Sequence, residues 1–252
     1  MSTTTRARIQ AAIVAVAPTV LFLGFAYHPY FTNATDEEAI AAAVAADTTR
    51  WGLAHLAIGV GYALLALAFI ALRSYLREAG EERWSSLALP FAVLGSALFP
   101  ILTGMELALL ATAETGGDVE AAQTELFPWF VPLLVTGAIS FTLGAVGFAI
   151  GIARSGVLGR QLTWLAVGAF VVMAAARFVP LGAAQIVIGV AALVALWPVA
   201  IAMWKHSEVG PADQPRSIPV TERRNAPAGV WIRLDRGRRS IAVRRTQRRQ
   251  RC

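Results

Sequence analysis

The chain has 252 residues, 56% hydrophobic and only 15% charged, with a mean hydropathy of +0.58. Water-soluble domains carry about 25% charged residues, so this composition excludes an ordinary soluble globular protein. The net charge of +6 is unevenly placed: residues 1–205 hold ten Lys+Arg against twelve Asp+Glu, and the remainder holds twelve Arg against four acids.

Six stretches reach the roughly 20 apolar residues that a membrane-spanning helix needs. In chain order they are about 9–28, 52–73, 86–112, 128–152, 161–179 and 181–204. The first follows Arg6 and Arg8 and is read as a retained helix, because no A-x-A cleavage site follows its long apolar run. After it, Thr35-Asp-Glu-Glu38 has the form of a capping box, and AIAAAVAAD predicts a short helix at the bundle surface. The second span opens with Asp47-x-x-Arg50-Trp51 and carries His55, Gly59 and Tyr62 on one stripe.

The third span carries Ser96, Thr103 and Glu106 on another stripe, and the segment Asp118–Glu125 after it predicts a second, weaker surface helix. In the fourth span Thr136, Ser140, Gly144, Gly147 and Gly151 recur at helical spacing, the small-residue pattern that lets membrane helices approach closely. The fifth ends near Arg177 and Pro180, and the sixth carries Gln185 near its start. The predicted fold is therefore all-α: a six-helix transmembrane domain over residues 1–205 and a disordered, cytoplasmic Arg-rich tail over 206–252.

Positively charged loops stay in the cytoplasm. Arg6, Arg8, Arg73, Arg77, Arg83, Arg154, Arg160 and Lys205 fall on one side, and on the other only Arg50 and Arg177. Both termini are expected in the cytoplasm of a cell with this protein in its cytoplasmic membrane. At about 1.5 Å per residue, His55, Glu106, Arg177 and Gln185 then share one layer in the outer leaflet.

A charge at mid-membrane costs about 2.5–3.5 kcal/mol on insertion scales. Glu106 and Arg177 have opposite signs at similar depth, so each is expected to offset the other. Two functions fit this layer. One is a pocket lined by His55, Tyr62, Thr103, Glu106, Arg177 and Gln185 that binds or passes a small solute or lipid-like molecule. The other is a structural or accessory subunit that docks a partner membrane protein through its small-residue face, with Glu106–Arg177 a structural ion pair.

No catalytic motif stands out, so the chain leans towards a non-enzymatic role; a third reading, a membrane enzyme acting on lipid or quinone, needs a nucleophile, metal or cofactor that the sequence does not display. His28 and His55 are weak ground for haem, and no spacing supports zinc or a di-iron site, so no cofactor or metal is expected. The single cysteine, Cys252, excludes an intramolecular disulfide. The Arg-rich tail suits anionic lipid headgroups, with Trp231 and Ile232 able to insert among them. It lacks a stacking platform for nucleic acid, and no nucleic-acid partner is expected. From the acidic first loop through Asp47-x-x-Arg50-Trp51 and His55, the chain resembles small, functionally uncharacterised multi-pass bacterial membrane proteins over about residues 9–205. That resemblance implies the topology and carries no site residue across.

Overall fold

The structure, a computed structural model, describes residues 2–33 and 36–208. The Arg-rich tail from 209 onwards, with Trp231, Ile232 and Cys252, lies outside the described residues, as does Thr35.

Among the described residues seven α-helices follow in order: α1 (Thr3–Tyr27), α2 (Glu37–Ala46), α3 (Thr48–Glu78), α4 (Arg83–Glu114), α5 (Val119–Ser155), α6 (Arg160–Ala175) and α7 (Gly182–Glu208). A 3₁₀ turn (Ala176–Phe178) extends α6. All but α2 are long and apolar enough to cross a membrane, with α6 counted together with its 3₁₀ turn. The protein is thus an all-α integral membrane protein with six spans. Among the described residues there is no strand, only an isolated bridge between Asn33 and Leu181.

The helix limits have local causes. Asp36, Asp47 and Asp118 each accept a hydrogen bond from the backbone N–H three residues on, capping α2, α3 and α5. The cap of α2 is therefore Asp36. The predicted second surface helix is not separate: its residues form the first turns of α5, which runs on through Pro128 and Pro132. Glu81 caps α4, its buried carboxylate accepting from Trp84 N (2.7 Å) and Ser85 N (3.2 Å). Gly80, Gly116 and Gly156 take positive φ in the three tight connectors after α3, α4 and α5, where a side chain would be strained. Pro180 ends α6 by forcing Val179 into an extended conformation (φ −101°, ψ 114°).

The six spans form a ring in chain order, α1–α3–α4–α5–α6–α7, closed by packing of α7 on α1. Close approach needs small residues. A Cβ on Gly144 would lie 2.5 Å from Ala92 N, and one on Gly95 would lie 2.6 Å from Phe141 N, so α4 and α5 touch backbone to backbone. Gly147 meets Ala88, and Gly151 faces the Glu81 carboxylate. Ser140 is buried on this face, but Thr136 is exposed. Gly24 and Gly61 do the same between α1 and α3. On the α1–α7 seam the Trp197 indole N–H donates to the Ala15 carbonyl, in the turn that contains Pro18 and Thr19.

The ring is filled along much of its length. Phe69 of α3 meets Phe141, Phe148 and Phe170 at its centre. Outward faces carry exposed Leu23, Leu53, Leu87, Ile101, Leu143 and Ile201, an apolar belt that suits lipid and would be a liability in water. Exposed Trp129 and Trp164 stand near opposite ends of the bundle, where indoles suit a membrane interface. α2 lies across one end, packing Ile40 and Val44 against Trp51 and Leu109.

The α4–α5 contact predicts that Gly144→Leu lowers stability by more than about 1 kcal/mol through overpacking. Gly168→Leu, whose added side chain meets open space, should leave it unchanged. Thermal unfolding of the purified variants in detergent checks this.

Candidate functional site

At the end of the ring beneath α2 the helices part around a cavity of about 440 Å³. His55, Tyr62, Thr103, Glu106, Arg177 and Gln185 all line it, carried by α3, α4, the 3₁₀ turn and α7. Most of the remaining wall is apolar, including Phe25, Phe99, Phe130 and Leu134. Polar groups are thus few and gathered from separate helices, the usual composition of a small-molecule site.

The position of Arg177 is set by aromatic rings. Its guanidinium carbon lies 3.7 Å from the centre of the Phe141 ring and 4.7 Å from that of Phe99. Nη1 donates to the Tyr62 hydroxyl at 2.8 Å, and Tyr62 itself stacks on Phe99 with centroids 4.5 Å apart. Cation–π attraction strengthens where water is excluded. Nε and Nη2 are buried and make no hydrogen bond.

The expected Glu106–Arg177 ion pair is not formed. Oε2 of Glu106 is buried without a partner, and among the described residues no carboxylate bonds the guanidinium. The reason is the ring order: α5 packs between α4 and α6, so the two charges border one cavity from separate helices. Similar depth, which spacing gives, does not specify adjacency around a ring.

Thr103 donates to the Pro100 carbonyl at 2.9 Å, and its hydroxyl faces Gly59 of α3. Glu106 also borders a second void of about 50 Å³ beneath α2, beside Gln123, whose Oε1 likewise has no partner.

The sequence reading left out His28 as a lining residue. It caps α1, is only 6% exposed and lines the cavity beside His55. The two Nε2 atoms lie 3.3 Å apart. Trp51 packs against both rings and donates its indole N–H to the Glu106 carbonyl. Arg50 holds His28 in place by donating to the Tyr27 and His28 carbonyls. The available signal was a histidine just before Pro29, at the same end of the bundle as His55. The aromatic seat of Arg177 left no such signal, because Phe99 and Phe141 look like any other apolar residue in a span.

No protein-family model, curated protein or solved structure matches the chain.

Tyr62→Phe removes the only hydrogen-bond acceptor of the Arg177 guanidinium among the described residues, and hydrogen bonds to charged groups contribute about 1.5–3 kcal/mol. The expected result is a loss of that size, measured by thermal unfolding. It should largely vanish when the change is made on an Arg177→Met background.

Proposed function

We propose that the protein binds or passes a small amphipathic solute or lipid-like molecule in this cavity. The observation that carries the reading is Arg177: a guanidinium held among aromatic rings at a largely apolar cavity, with no carboxylate among the described residues to neutralise it. An unpaired buried charge is costly. A ligand with an anionic head and an apolar body offsets that cost while filling the greasy wall. Glu106, Thr103, Gln185 and Tyr62 then orient the head group.

The distribution of Lys and Arg supports a cytoplasmic-membrane protein with both termini in the cytoplasm and the cavity toward the outside. In that orientation the Arg-rich composition of the tail suits the anionic headgroups of the inner face. The accessory-subunit reading has less support, because Gly144 and Gly147 face α4 of the same chain and leave no free small-residue surface there.

Titrating the full chain in nanodiscs with a panel of medium-chain carboxylates and alkyl phosphates tests the proposal. Saturable binding is expected, weakened at least about tenfold by Arg177→Gln, on the scale of one lost charge-assisted contact. Binding that is equal in wild type, Arg177→Gln and Glu106→Gln would remove these residues from the site.

A further inference from the structure

We propose that His28 and His55 form a binding site for a single late first-row divalent cation, zinc by preference, at the edge of the cavity. The inference starts from counting protons. Nδ1 of His28 lies 2.8 Å from the Pro29 carbonyl oxygen, and Nδ1 of His55 lies 2.9 Å from the Trp51 carbonyl oxygen. A carbonyl only accepts, so each Nδ1 carries the ring proton. Both Nε2 atoms then present bare lone pairs to each other at 3.3 Å. Three contacts need three positive hydrogens, and two neutral rings supply two. A cation between the Nε2 atoms resolves the deficit.

The distance also accommodates a metal ion. Two nitrogens each bonded at 2.0–2.1 Å to one tetrahedral ion lie roughly 3.3–3.4 Å apart. The surroundings match as well. Metal-binding imidazoles donate their other N–H to a carbonyl or carboxylate, which fixes tautomer and ring orientation, and here both rings do so to backbone carbonyls. Both histidines are 6% exposed and packed against Trp51, so little conformational freedom is left to lose on binding.

Among the described residues no third His, Cys, Asp or Glu is already grouped with the pair. Charge decides where the third ligand comes from. Arg50 bonds the His28 carbonyl, Arg177 lines the same cavity, and both oppose a dication. Tyr62 is held by Arg177, and the carboxylate lining the same cavity is Glu106, with its Oε2 buried and unpartnered. The cation draws in this carboxylate by a side-chain rotation, giving two histidines, one glutamate and a position open to the cavity. Such an open position is what distinguishes reactive or exchangeable zinc sites from closed structural ones. The site does not depend on whether the cavity binds an organic solute.

The test is equilibrium dialysis of metal-stripped, full-length protein against Zn²⁺, with Co²⁺ absorption as an independent report of coordination geometry. One Zn²⁺ per chain is expected, with a tetrahedral Co²⁺ spectrum. His28→Ala, His55→Ala and Glu106→Gln should each weaken binding at least about tenfold, while Gln161→Ala, at the exposed start of α6, should not. A second readout guards against misfolded variants: Zn²⁺ should raise the Tm of wild type, by preferential binding to the folded state, and not that of His55→Gln. Three outcomes overturn the site as drawn. They are no stoichiometric metal in wild type, binding unchanged in any of the three ligand variants, or a ¹⁵N spectrum showing one proton shared between the Nε2 atoms that added Zn²⁺ fails to displace.

Discussion

The cavity depends on how Arg177 is held. Its guanidinium rests on Phe141 of α5, touches Phe99 of α4 and donates to Tyr62 of α3, while its own backbone belongs to the turn between α6 and α7. One side chain therefore ties four of the six spans together at a single level. Below it the Phe69–Phe148–Phe170 contacts close the ring. Above it the helices are free to part. The cation thus marks the floor of the cavity, and its aromatic seat substitutes for the water that the group would otherwise require.

The order of the ring explains why the polar groups stay apart. Backbone contact through Gly95 and Gly144 locks α4 to α5, and Gly24 and Gly61 lock α1 to α3. With those pairs fixed, Glu106 and Arg177 border the same space without meeting, and His28 is brought to His55. Unpaired groups in a low-dielectric interior interact strongly with anything that enters. Such groups raise the free energy of the empty protein and can favour one charged ligand over another. The same constraint turns Gly144 and Gly147 of α5 onto α4 of the same chain.

The fold was legible from the sequence because its signal is one-dimensional. Length and apolarity identify a span, and each of the six stretches lies on a helix of the structure. The helices overrun the apolar stretches at several ends, since Val119 to Phe127 continue α5 with no cap or break to separate them. The layer containing His55, Glu106, Arg177 and Gln185 was legible too, because depth follows from residue count. Pairing within the layer was not. It depends on the angular position of each helix, and the ring order that separates Glu106 from Arg177 has no counterpart in residue spacing. The His28–His55 contact was hidden for the same reason, together with the fact that its geometry rests on two backbone carbonyls.

The central claim is that this end of the bundle holds a solvent-connected chamber while the middle is closed. The direct measurement is cysteine accessibility in intact membranes. Cys252 is the only cysteine, so Cys252→Ser gives a silent background for Gln185→Cys in the cavity and Phe148→Cys in the plug. A small membrane-impermeant thiol reagent supplied to the side onto which this end of the bundle opens should label Gln185→Cys and leave Phe148→Cys unmodified. No labelling of Gln185→Cys from either side, or equal labelling of both positions, would contradict a chamber at this end of the ring.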